Sequence, residues 1–464
     1  NGEKFAWPKF QAGMVQGIPS VNFDLALKEL IHEKIKNEVD TRRQIFQLHE
    51  PFVEFVLPAY LVDVNNSLTW QKDSLLGKEL ELKIASAYGL NAQDYMSLEK
   101  DILEAIESQS KMSLSDDESD EDSDVSESAE VIDESPRSAA DGFISYLVGC
   151  AFGRWDIRMA ISGWKQETIE SIDPFSPVSC CPPGWLRNDT ADFVRGVVKD
   201  SYPISVFSSG VAAENTVDGD DLVKYIEQSL RFIFNSDSDT KEQDLLFKLK
   251  FSSIRDYIRR PTGFFADHLQ RYSKSRRKAP IYWPLSTASG SYTLWIYYPS
   301  LTSQTLFTAV NDFLDGPNGK LTQVSREGAE LRQKGSSRSS EDEKRYEMLQ
   351  TFEQELTDLR DTLLKIAPTY QPNHDDGVQI TAAPLWPLFR HKPWQKLLKD
   401  TWTKLEKGDY DWAHLAMNYW PERVREKCKT DKSLAIAHGL ESIYVEPEVA
   451  PKKTRSKKKA ETDK

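Results

Sequence analysis

The chain has 464 residues, 39% hydrophobic and 28% charged, with a formal net charge of −14. Such a length suits two to four domains, and 12 Trp, 17 Tyr and 21 Phe are ample for buried cores. No apolar run approaches the roughly 20 residues that a membrane span needs, and no charged-then-apolar signal segment opens the chain. Cysteine is scarce: Cys150, Cys180, Cys181 and Cys428, without CxxC or His-rich spacing. A disulfide scaffold and a zinc site are therefore not expected, and a reducing cytoplasm is. The first residue is Asn rather than Met, which fits the downstream part of a longer protein.

The negative charge is local. Asp116–Glu134 carries 11 acidic and no basic residues, and without it the formal charge rises from −14 to −3. A basic patch on the remainder is thus compatible with the acidic total.

In chain order, an irregular start leads to a helix over Phe23–Leu48, with Asn22 as its N-cap and Leu25, Leu27, Leu30, Ile31 and Ile35 on one face. Further helices are expected over Gly77–Tyr88 and Ser97–Ser108. Residues 109–140 form an acidic Ser/Asp/Glu linker, too poor in apolar surface to offset the entropy of ordering. Order is expected to return at Gly142, where FISYLVGCAFGRW reads as a buried helix. After the Pro-rich stretch DPFSPVSCCPPGWL, helices are expected over Asp220–Phe234 and Glu242–Leu249. Ile281–Trp283 and Tyr292–Tyr298 read as two strands of a hairpin around a turn-rich Ser-Thr-Ala-Ser-Gly-Ser. Leu301–Gln333 reads as a helix interrupted at Asp315–Lys320. Over Glu341–Ile366, Leu349, Phe352, Leu356, Leu359, Leu363 and Ile366 alternate spacings of 3 and 4. That seam needs a partner helix, and the preceding segment, folded back antiparallel, is the expected one. Pro393–Leu405 and Trp412–Tyr419 follow as helices, and residues 448–464 form a basic low-complexity tail.

Neither a dinucleotide glycine motif nor a Walker A lysine loop is found, nor the metalloprotease or serine-hydrolase signatures. An Asn-Pro-Pro-Tyr or Asp-Pro-Pro-Tyr tetrapeptide, which would cradle an exocyclic amine for methyl transfer, is missing too; Asp173-Pro174-Phe175 is the nearest approach. The acidic groups Asp375-Asp376 and Asp218, Asp220 and Asp221 read as loop or helix-capping carboxylates. Cys150, in an apolar run, reads as a small core residue.

The best functional lead is the run from Arg255 to Tyr298. Between Arg255 and Lys278 it holds eight Arg or Lys residues against two Asp. Arg255, Arg259 and Arg260, spaced i, i+4, i+5, can share one helix face before Pro261. His268, Arg271 and Lys274 would continue on the next helix, and Arg276, Arg277 and Lys278 would follow in a short connection. Long cations on adjacent turns suit consecutive phosphates. Tyr282, Trp283, Trp295, Tyr297 and Tyr298 could stack on an unpaired base, although packing of the hairpin against its helices is the reading favoured for them.

The wording DHLQRYSKSRRKAPIYWPLSTASGSYTLWIYY resembles the region downstream of the catalytic domain in large adenine-specific DNA methyltransferases, namely the BREX-type and DISARM-type phage-defence methylases and the related type IIG restriction-modification enzymes. Glu79–Leu90 (ELELKIASAYGL), Ile144–Asp156 (ISYLVGCAFGRWD), Tyr370–Leu388 (YQPNHDDGVQITAAPLWPL) and Asp409–Leu440 look like further pieces of the same family in the same order. In that family the cofactor glycine motif and the Asn-Pro-Pro-Tyr motif precede this region. The resemblance thus implies a chain with no catalytic, cofactor-binding or metal residues of its own. It would supply duplex grip and target recognition to a catalytic methyltransferase domain in cis or in trans, which would use S-adenosylmethionine on a flipped adenine. Double-stranded DNA and other defence-system proteins are the partners implied.

The expected fold is α+β and predominantly helical, with a small mixed recognition domain around a β-hairpin and an antiparallel, coiled-coil-like helical spacer. The expected blocks are 1–108 (helical), 109–140 (linker), 141–300 (DNA recognition), 301–367 (spacer), 368–447 (C-terminal helical domain) and 448–464 (tail). The alternative reading is a non-catalytic interaction or scaffold module, docking partners through the Leu349–Ile366 seam and the acidic segment.

Overall fold

The computed structural model describes residues 23–62, 78–98, 100, 135–161, 184–186, 202–214, 221–274 and 277–446. The fold is α+β and predominantly helical, and the chain divides into two compact units. The expected block 141–300 is not a unit by itself, because stretches of it belong to each. Asn22, the acidic run 116–134 and the tail lie outside the described residues.

The first unit comprises Asn1–Ser208, Leu222–Ile258 and Gln270–Arg277. Its helices are α1 (Leu25–Phe46), α2 (Lys78–Ala87), α3 (Pro136–Ala151), α4 (Leu222–Phe234), α5 (Ser238–Leu249) and most of α6 (Ile254–Arg259). Asp24 caps α1, its carboxylate accepting from the Leu27 N–H at 2.7 Å. The centre of the unit is α3, buried almost continuously from Ala140 to Ala151 and packed by α4 and α5. It begins at Pro136, six residues before the expected Gly142. The Ser135 hydroxyl accepts from the Ser138 N–H, and Pro136 takes the first helical position, where a missing N–H costs nothing. The apolar run is buried all round, and its small residues (Gly149, Cys150, Ala151) allow neighbours to approach closely at its end. Cys150 is a buried free thiol, as its context predicts. Phe55, Tyr146 and Trp155 pack around the end of α3, and Gly184 sits so close to the Phe55–Val56 backbone that a Cβ would lie 2.6 Å from the Val56 carbonyl.

The second unit comprises Ser209–Asp221, Arg259–Leu269 and Lys278–Lys464. Its core is a three-stranded antiparallel sheet of β1 (Val211–Ala213), β4 (Tyr282–Ser286) and β5 (Thr293–Tyr297), in the order β1-β5-β4. Two short strands, β2 (Ser273–Lys274) and β3 (Arg277–Lys278), lie between β1 and β4 in the chain. Trp283 pairs with Ile296 and Leu285 with Leu294. Every residue of β1, β4 and β5 is buried, which explains why these segments read as continuous apolar runs rather than alternating ones. Pro284 is tolerated because β4 is an edge strand. Helix α7 (Phe264–Arg271) sets Phe264 edge-on to Trp295 at 5.4 Å, and His268 Nε2 accepts from the Ile281 and Tyr282 N–H groups.

The spacer is a helical hairpin. After α8 (Thr305–Phe313), α9 (Lys320–Gln333) runs back against α10 (Ser340–Ile366). Ser339 and Asp342 form a reciprocal capping box at the start of α10. Leu356, Leu359 and Leu363 are buried, whereas Leu349, Phe352 and Ile366 are only half-buried, so the seam is closed tightly from Leu356 to Leu363 and is looser at both ends. Ion pairs Lys334–Asp342 and Arg345–Glu327 bridge the outer end. The remaining helices are α11 (Val378–Ala382), α12 (Lys392–Lys407), α13 (His414–Tyr419), α14 (Pro421–Cys428) and α15 (Lys432–Ala437). Asp376 caps α13, accepting from the His414 and Leu415 N–H groups at 2.7 and 2.8 Å, in the capping role expected for it. No helix among the described residues is long and apolar enough to cross a membrane.

Candidate nucleic-acid interface

The basic run does not form one continuous surface within either unit. Arg255, Arg271, Lys274 and Arg277 belong to the first unit, and Arg259, Arg260, Lys278, Tyr282 and Trp283 to the second. Arg276 lies outside the described residues. Helix α7 ends at Arg271, so Lys274 does not extend the helical row; it lies on β2, and Arg277 and Lys278 form β3.

Two of the arginines are paired with buried carboxylates. The Arg259 Nε donates to Glu214 at 2.6 Å, and the Glu214 side chain is completely buried. Arg271 bonds to Asp141 and lies 3.9 Å from Glu50, with its own side chain 11% exposed. Burial alone would lower the Arg271 pKa, but the Asp141 and Glu50 carboxylates outweigh it and hold the guanidinium above its ordinary value. Arg271 is therefore corrected from a phosphate ligand to a structural ion, whereas Arg259 is tied to Glu214 with a third of its side chain still exposed; each answers a buried carboxylate that would otherwise be left charged in an apolar surround.

The cluster around Arg271 is the most elaborate polar site of the first unit. Glu50 Oε1 accepts from Arg154 Nη1 at 2.7 Å and from the Tyr272 hydroxyl at 2.8 Å, and Oε2 accepts from the Ser145 hydroxyl at 2.5 Å. Asp141 Oδ1 accepts from the Tyr257 hydroxyl at 3.0 Å. Arg154 also lies over the Trp155 ring at 4.3 Å. Two carboxylates facing two guanidiniums leave no net charge. Burial, with Glu50 adding to it against the opposing pull of Arg154, keeps the Tyr272 phenol above its usual range. The site ties together segments far apart in the chain.

Tyr282 and Trp283 are fully buried. Tyr282 stacks near Tyr297, and the Trp283 indole donates to the Pro280 carbonyl at 2.8 Å. They pack the sheet, as favoured, and the base-stacking option is withdrawn for both.

Three described members of the run remain near solvent. Arg255 is half-buried on α6, with its Nη1 buried and without a hydrogen-bond partner among the described residues. Arg260 is exposed just past α6. Lys278 is half-buried, and its charge adds to burial in disfavouring protonation of the His391 imidazole. No protein-family model and no curated protein matches the chain. Among the described residues no cluster of three or more His, Cys, Asp or Glu is arranged to hold a metal ion.

Another basic feature escaped the sequence reading. On α12, Lys392, Lys396, Lys399 and Lys407 are all exposed. Their spacing of 4, 3 and 8 was available in the sequence as a one-faced lysine row, but the denser run at 255–278 drew the reading away from it.

Proposed function

We propose that this chain is the DNA-binding, target-recognition part of an adenine-specific DNA methyltransferase of a phage-defence or restriction-modification system. A catalytic half outside the chain would hold S-adenosylmethionine and perform methyl transfer on the flipped adenine. The observation that carries the reading is the way the part of the motif DHLQRYSKSRRKAPIYWPLSTASGSYTLWIYY that lies in the second unit is used. Its apolar part is a buried framework of α7, β4 and β5, while Arg260, ahead of that framework, and Lys278, within the motif, reach solvent. A rigid core carrying cations at its margins suits phosphate-backbone contact, which positions a protein on a duplex without reading bases.

The scaffold reading is less well supported, because α9 already covers the seam that a docking partner would need. The test is the binding of the full chain to double-stranded DNA across a salt series, with and without Arg260→Ala and Lys278→Ala. Binding whose log affinity falls with log salt, with the slope reduced by roughly one unit per lost contact, supports the proposal. A chain that ignores duplex DNA at low salt refutes it.

A further inference from the structure

Helix α12 has two faces of opposite character. At about 100° per residue, Trp394, Leu398, Thr401 and Leu405 fall on one side, and all are buried. Lys392, Lys396, Lys399 and Lys407 fall on the opposite side, and all are exposed. None of the four makes an ion pair with a described residue; Lys399 rests over the Trp386 ring at 5.1 Å. Some other cations of the same unit are neutralised locally, Arg423 and Lys427 sharing Asp411 and Lys429 holding Glu426. The acidic residues of α12, Asp400 and Glu406, flank the lysine row rather than interrupt it.

The row is also held still. Arg390, just before the helix, donates to the Ser286 and Thr287 carbonyls at 2.8 and 2.7 Å, fastening the helix start to the β4–β5 hairpin. Gly408, in the left-handed conformation, closes the other end. Lys278 adds a cation near the helix start, beside His391.

We propose that α12 lies along the sugar–phosphate backbone of double-stranded DNA, with Lys392, Lys396, Lys399 and Lys407 as phosphate contacts. This rests on reading the chain as the DNA-binding part of a methyltransferase. The row extends about 22 Å at 1.5 Å per residue, and a straight, stiff polyanion is its natural complement, since a duplex of that length does not bend measurably. A membrane surface is a poorer fit, because the apolar face that would enter the lipid is already consumed in the core. Lysine contacts of this kind fix register and orientation and carry no sequence information.

The test uses the full chain. The quadruple variant K392Q/K396Q/K399Q/K407Q is compared with the unaltered protein in duplex binding from low to high salt. A second variant, K344Q/K365Q/K429Q/K432Q, removes the same charge from other exposed lysines of the unit. The expected result is a salt slope lower by about 3 to 4 in the first variant, at roughly 0.9 per phosphate lost, with equal loss on unrelated duplex sequences and little change in the second variant. Retention of the slope in the first variant, or an equal loss in both, overturns the inference while leaving the DNA-binding reading intact. Failure of the unaltered chain to bind duplex overturns both. Loss of binding to anionic vesicles with duplex binding retained assigns the row to lipid instead and also overturns it. Circular dichroism of the variants checks that the helix persists, and a Lys→Arg version of the first variant should keep the slope.

Discussion

Replacing Arg271 by Met separates the two roles open to that residue. The side chain is long enough to keep the volume filled, but the charge is gone. Asp141 then retains the Tyr257 hydroxyl, and Glu50 retains Arg154, Tyr272 and Ser145. The uncompensated charge therefore falls mainly on Asp141, whose side chain is 8% exposed. Breaking a buried pair in this one-sided way costs about 3–5 kcal/mol, a large share of the 5–15 kcal/mol that holds a typical domain together. Urea unfolding of the full chain, with hydrogen exchange of the α3 amides to localise the effect, measures it. The double variant R271M/D141N should recover about half of the loss, because the stranded charge is removed with its partner. If R271M unfolds within 1 kcal/mol of the parent but loses DNA affinity, the structural assignment of Arg271 is wrong and the phosphate role returns.

Two further outcomes follow from other elements. His391 caps α12 through Nδ1, which accepts from the Trp394 N–H at 3.3 Å, and burial together with Lys278 holds its pKa below the ordinary value. Unfolding therefore takes up a proton at this site as pH falls below about 6.5, so its contribution is full above that pH and is lost as pH drops toward the depressed folded value. His391→Asn keeps an acceptor at the cap without a titrating group, and urea midpoints from pH 7.5 to 5 should then vary less than in the parent; an unchanged pH dependence would exclude His391 as its source. In the hairpin, Leu359→Ala should cost about 2–5 kcal/mol and Leu349→Ala clearly less, because Leu359 is buried and Leu349 only half so; equal thermal shifts would contradict the uneven closure of the seam.

Local patterns made much of this fold legible. The 3-and-4 spacing of α10, the apolar strands β4 and β5 and the break between α8 and α9 are short-range signals. The start of α3 was hidden because the acidic composition upstream masked a Ser-Pro cap and first-turn signature at Ser135-Pro136. Strand β1 has only three residues, and what defines it is pairing with β5 about 80 positions later, which no window around Val211 contains. The site was misread for the same reason. Density of charge suggested a surface, but Arg259 and Arg271 are answered by Glu214 and Asp141, which lie 45 and 130 positions away. A single arginine looks the same in sequence whether its counter-ion is a phosphate or a distant carboxylate.

The bonds to Glu50 carry a consequence for how the first unit comes into being. One of its donors, Tyr272, lies 222 residues further along the chain. At a synthesis rate of roughly 5–20 residues per second, the early segment must wait on the order of 10–40 s for that partner to be made. During that interval Glu50 can meet Ser145 and Arg154, but its cluster still lacks Tyr272 and Arg271. The first unit therefore cannot close from its N-terminal part alone. A fragment cut before residue 270 should stay open around Glu50, whereas one that extends past Tyr272 can lock.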